Sequence, residues 1–132
     1  MSSGMIKSGL TMLALLLTAC QHRVEEPHLI PATPQEMQAW ADKNCAGSND
    51  KHCRYFAQLQ YGIQRNFYDA SRYHGQECAL EITYKNGRYS VLSTTGDEQL
   101  CLKAWSVIGS AKNLPTPPAS LPATMVIDFK PL

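Results

Sequence analysis

Five cysteines in a chain of 132 residues cannot all pair with one another. In an exported protein, where bridges form and persist, an odd count means paired disulfides plus one sulfur with another fate. The length permits one domain of ordinary size and leaves no room for two. Hydrophobic residues make up 44% of the chain, with three Phe and two Trp, so the fold is globular but its core is lean. A formal net charge of +1 gives no basic stripe of the kind an electrostatic nucleic-acid binder shows, so no nucleic-acid partner is expected.

The odd sulfur is at the N-terminus. A short polar start carrying Lys7 is followed by the apolar run Leu10 to Leu17 and then by Leu17-Thr18-Ala19-Cys20. The run is too short to cross a bilayer as a helix, which needs about 20 apolar residues. It has the size of a signal-peptide hydrophobic region. Met5 offers an alternative start to Met1. The segment resembles the lipobox of bacterial lipoproteins, which implies a signal peptide over residues 1–19 and diacylation of Cys20 on its sulfur, with the new amine usually acylated too. Several acyl chains anchor firmly, since each buried methylene contributes about 0.8 kcal/mol. Gln21 stands where an Asp commonly marks retention at the inner membrane, so the resemblance implies an outer-membrane lipoprotein facing the periplasm. Loss of Lys7 with the signal leaves the bases equal in number to the eleven acids.

Residues 20–34 read as a lipid-anchored linker. Gln21 to Pro34 contains three prolines and no apolar periodicity, the pattern of an extended spacer. At about 3 Å per residue it reaches up to ~40 Å from the membrane. His22 and His28 lie here, with no other ligand-type residue spaced to join them at a metal.

The folded part occupies residues 35–132. Pro34 opens a short helix over Gln35 to Asn44, with Met37, Trp40 and Ala41 at helical spacing and Trp40 a packing residue. A stronger helix follows Gly47-Ser48-Asn49-Asp50, with Asn49 or Asp50 as N-cap. Its apolar positions are Cys53, Phe56, Leu59 (or Gln60), Ile63 and Phe67, and it is expected to run to about Tyr68. Gly62 costs about 1 kcal/mol in a helix interior, which suggests a close packing contact.

Asn86-Gly87 is the preferred pair for a type I′ hairpin turn. Centring the turn there sets Tyr84 against Tyr89, Ile82 against Val91 and Leu80 against Ser93 on an apolar face. The opposite face pairs Lys85 with Arg88, Thr83 with Ser90 and Glu81 with Leu92. Such a sheet is covered on one side only. Cys78 then faces Thr95, just before Gly96-Asp97-Glu98 opens another helix. There Cys101, Ala104, Trp105 and Ile108 share a buried side, which delivers Cys101 close to Cys78. The pairing read from this register is Cys78–Cys101, leaving Cys45–Cys53 across a short turn.

Prolines between Leu114 and Pro122 preclude a long helix. The end of the chain is a third strand, with Met125, Ile127 and Phe129 inward and Val126, Asp128 and Lys130 outward. The expected fold is α+β: a three-stranded antiparallel sheet in the order helix-strand-strand-helix-strand, with helices on one face and a short extra N-terminal helix.

The run Phe67-Tyr68-Asp69-Ala70-Ser71-Arg72-Tyr73-His74-Gly75-Gln76-Glu77-Cys78 resembles the C-terminal domain of TolA. The likeness continues through Gly96, Asp97, Leu100 and Cys101, through Pro117-Pro118, and through Asp128-Phe129-Lys130-Pro131. It covers about Cys53 to Leu132 and places the family's disulfide on Cys78 and Cys101. It implies a periplasmic domain that binds a protein or peptide by strand addition, in Tol–Pal-type envelope integrity or its modulation. The implied contact element is the last strand, with Val126, Asp128 and Lys130 at the open face; the other reading is that this strand only closes the sheet. TolA itself has an inner-membrane helix and a long stalk, whereas a lipid and a short linker are expected here. The family's last helix is shortened and interrupted by Pro122, and Cys45–Cys53 is an addition. Two further roles are compatible with the domain: a decoy or exclusion lipoprotein against colicins or filamentous phage, and an accessory of an envelope-spanning secretion or conjugation system.

No catalytic arrangement is expected. His52 beside Cys53 and His74 near Cys78 suggest Cys–His pairs, but a disulfide is the better use of each sulfur. The cysteine spacings lack the close pairs of a structural zinc site, so neither metal nor cofactor is expected. Tyr73, Tyr84 and Tyr89 read as core or rim packing rather than as binding hot spots.

Overall fold

The computed structural model describes residues 30–132. The signal segment, Cys20, His22, His28 and most of the linker lie outside the described residues. Within them the order is α1 (Pro34–Asn44), α2 (Cys53–Arg65), a 3₁₀ turn (Ala70–Tyr73), β1 (Cys78–Lys85), β2 (Arg88–Gly96), α3 (Glu98–Ser110) and β3 (Thr124–Phe129). This is the expected α+β arrangement, with an antiparallel sheet in the spatial order β2-β1-β3.

Each helix start follows from its local chemistry. Thr33 caps α1: its hydroxyl accepts the Glu36 N–H, while the Glu36 carboxylate accepts the Thr33 N–H. Asp97 caps α3 by accepting the Leu100 N–H at 2.9 Å. The expectation for α2 needs correcting. Neither Asn49 nor Asp50 caps it; the Asp50 carboxylate instead accepts the His52 N–H at 2.9 Å, which closes a turn before the helix. The helix also stops at Arg65 rather than near Tyr68. Asn66 ends it by donating its amide to the carbonyls of Gly62 and Lys112, and Phe67 is buried from outside the helix.

The buried stripe of α2 is Tyr55, Leu59, Gly62 and Ile63, with Phe56 only half-buried. Gly62 makes the close approach its position suggested: a Cβ there would lie 2.9 Å from a Leu114 methyl and 3.3 Å from the Met37 sulfur. On α3 the inward residues are Leu100, Cys101, Ala104, Val107 and Ile108. Trp105, expected among them, is 45% exposed, because Val107 takes the inward position beside Ile108. Trp40 stacks on Tyr61 with ring centroids 4.9 Å apart, which joins α1 to α2.

Asn86 and Gly87 both have positive φ, 54° and 77°, as a type I′ turn requires. From Lys85↔Arg88 to Ile82↔Val91 the register is the expected one. A bulge then shifts it by one residue, giving Glu81↔Ser93, Leu80↔Thr94 and Cys78↔Gly96. Leu92 is the extra residue and is exposed. The shift puts a glycine rather than Thr95 opposite Cys78. Gly96 has φ 138°, and a Cβ there would sit 2.5 Å from the Glu77 carbonyl oxygen. Gly96→Ala is therefore expected to cost about 3–5 kcal/mol, from backbone strain plus overpacking; urea unfolding of the variant checks this.

Beneath the sheet, Tyr89 donates to the Pro115 carbonyl at 2.6 Å and lies 2.7 Å from the Tyr55 hydroxyl. With the Tyr89 proton committed, Tyr55 is the donor to Tyr89. Burial pushes both phenols above their ordinary range. A folded value above the unfolded one means that this stability is complete below about pH 10 and is lost as the pH climbs higher, where the unfolded phenols ionise. Tyr89→Phe is expected to cost about 1–3 kcal/mol at neutral pH and to flatten the decline above pH 10. Thermal unfolding against pH measures both.

Candidate binding edge

The parity of the hairpin determines which backbone groups of β3 are free. In a two-residue hairpin the flanking pair, Lys85 and Arg88, is a hydrogen-bonded pair. Odd-numbered β1 residues therefore direct their backbone groups at β2, and even-numbered ones at β3. The Tyr84 N–H accordingly donates to Ala123 O at 3.2 Å. In the same register Ile82 faces Met125, Leu80 faces Ile127 and Cys78 faces Phe129. The N–H and C=O groups of Thr124, Val126 and Asp128 then point away from the sheet. Among the described residues they form an unpaired ladder edge.

Side chains alternate along the same strand. Met125, Ile127 and Phe129 are buried against the helices, while Thr124, Val126 and Asp128 are exposed. Val126 is 64% exposed. The edge ends at Lys130, whose carbonyl accepts the Gln60 side-chain amide at 2.8 Å. The Leu132 N–H donates to the Gln64 side chain at 3.0 Å, so α2 holds the chain terminus. Between α2 and the edge lies a groove of about 300 Å³ lined by Phe56, Leu59, Gln60, Val126, Ile127 and Asp128.

The structure thus sets Val126 and Asp128 side by side on the edge, with Lys130 just past the strand. Lys130 lies 3.5 Å from Glu77 and 3.7 Å from Asp128. Glu81, the Cα partner of Val126, shares the open face. Sequence reading missed Phe56 and Gln60 as groove residues. Phe56 was read as a core position of an amphipathic helix and Gln60 only as the alternative to Leu59, and only tertiary packing turns their side toward β3. The other edge, β2, carries the bulge at Leu92, a device that blunts strand pairing.

The other sequence candidates are accounted for by structure. Cys45 pairs with Cys53 and Cys78 with Cys101, so neither His52 nor His74 has a neighbouring thiol to activate. Tyr89 is buried, and Tyr73 and Tyr84 pack half-buried against the core. Among the described residues there is no group of three or more His, Cys, Asp or Glu placed to hold a metal ion. No helix among them is long and apolar enough to cross a membrane.

A family model described as TolA C-terminal matches residues 40–127. The chain belongs to the TolA C-terminal family. None of the curated proteins compared with the chain matches it. Domains of the TolA C-terminal family are non-enzymatic interaction modules that bind proteins in the periplasm. The matched segment contains both disulfides, the hairpin and the first four residues of β3.

Proposed function

We propose that this chain is an outer-membrane lipoprotein whose TolA C-terminal domain binds a periplasmic protein segment by strand addition to β3. In this reading residues 1–19 are the signal peptide, Cys20 carries the lipid and residues 20–34 are the linker. Residues 35–132 are the binding domain, and the setting is Tol–Pal-type envelope integrity or its modulation. The observation that carries the reading is the unpaired edge at Thr124, Val126 and Asp128 beside the α2 groove. Main-chain hydrogen bonds there supply affinity, and alternate side chains supply selectivity.

The anchor is tested by metabolic labelling with a radioactive fatty acid. The full chain is expected to take up label and fractionate with the outer membrane, and Cys20→Ser to do neither. An unlabelled wild-type chain would remove the lipoprotein reading and leave the binding one intact. Binding is tested by titrating the chain with purified periplasmic Tol–Pal components and with colicin translocation segments. Binding to the former places it in envelope maintenance. Binding confined to the latter replaces that role with exclusion, and binding to neither rejects both.

A further inference from the structure

The edge offers more than backbone pairing, because its two faces differ in chemistry. In an added strand, alternate residues share the inner face with Ile127, and those between share the open face with Val126. The inner side opens on the groove walled by Phe56 and Leu59, with room for one large apolar side chain. On the open face, Glu81 stands beside Val126, and Glu77 and Asp128 share the single cation Lys130. At the Asp128 end of this face three acids stand against one base, while the other cations of the face, Lys85 and Arg88, lie at the hairpin turn. A cationic neighbour is therefore favoured beside Asp128 and an anionic one repelled. Past Asp128 the ladder closes, since Gln60 already occupies the Lys130 carbonyl.

Resting on the strand-addition reading above, we propose that this site selects its partner by residue type. The partner is an extended segment with one bulky apolar side chain seated between α2 and Ile127. A Lys or Arg at an alternate position lies beside Asp128, with Glu81 one strand further across on the same face, and Gln60 sets the end of the ladder. A second copy of the chain is a poorer occupant, because it would bring its own Glu77, Glu81 and Asp128 against one Lys130 to the acidic end of the face.

The test uses the full chain and three fluorescent nine-residue peptides. The first alternates Thr and Val with a central Phe and a Lys at a flanking open-face position. The second replaces the Phe by Ser, and the third replaces the Lys by Glu. The Phe-to-Ser peptide is expected to bind about 10-fold or more weakly, as loss of a buried aromatic requires. The Lys-to-Glu peptide is expected to bind about 3- to 10-fold more weakly at low salt, with the gap closing at high salt. A peptide two residues longer is expected to bind severalfold more tightly than the nine-residue one in Gln60→Ala, and no more tightly than it in the wild type. Equal binding of all three peptides, lost in Val126→Pro, overturns the selection and leaves strand addition standing. No binding by any peptide, or equal binding to wild type and Val126→Pro, overturns both. A wild-type chain that sediments as a dimer, with Val126→Pro monomeric, assigns the edge to a second copy and also overturns the proposal.

Discussion

Replacing Cys78 and Cys101 together by alanine is expected to lower stability by about 3.5 kcal/mol, the chain-entropy value for a loop of this length. For a domain of this size that corresponds to a fall of roughly 15–25 °C in midpoint. The bridge spans 23 residues and closes the hairpin onto the first turn of α3. Both sulfurs are buried, Cys78 completely, so the variant also loses packing beside Leu80 and Phe129. Removing Cys45 and Cys53 instead is expected to cost less. That loop spans 8 residues, and α1 is held to α2 independently by the Trp40–Tyr61 stack, the Arg54–Asp42 and Arg65–Glu36 ion pairs, and the Gly62 contact. Urea denaturation of the two double variants measures the difference. If the Cys45/Cys53 variant proved the weaker, the hairpin bridge would not be the main fastening of the domain.

Proline placed at two adjacent positions of β3 should give opposite results. The Val126 N–H points outward and has no partner among the described residues, so Val126→Pro removes a donor that they do not use. Edge strands accept proline at such positions. The variant is expected to unfold within a few degrees of the wild type while losing partner binding by 10-fold or more, since its edge can no longer complete the ladder. The Ile127 N–H points instead at Leu80, and the Ile127 side chain is buried. Ile127→Pro therefore removes a ladder bond and core packing together, and is expected to cost at least about 3 kcal/mol. Circular dichroism melts paired with a binding titration separate the two variants. A destabilised Val126→Pro or a stable Ile127→Pro would show that the hydrogen-bond parity is reversed and that the free groups lie on the other residues.

Much of the fold was legible because its signals are local. Asn86-Gly87 specifies a turn by its own backbone preferences, and the alternation after Thr124 specifies which side of β3 is buried. Pro34 and the Gly96-Asp97-Glu98 run open their helices through the backbone preferences of a few adjacent residues. The misread positions have non-local causes. The bulge at Leu92 arises where the hairpin must bring Gly96 beneath Glu77, a contact between chain segments. Trp105 and Phe56 were placed by helical period, yet the buried arc of each helix is set by the surface it packs on. The α2 boundary moved because Asp50 spent its oxygen on a turn.

The residues alone determined the element order, the hairpin, the inward and outward sides of the last strand and the proximity of Cys78 to Cys101, since each follows from spacing along the chain. They also supplied the segment resembling TolA, which the match over residues 40–127 places in the family. Tertiary structure decided what makes β3 a candidate binding edge. The direction of each N–H depends on pairing with β1, and the groove exists only where α2 passes beside the strand. Gln60 reaches Lys130 across 70 residues of sequence, and no periodicity within α2 could show that it marks the end of the ladder.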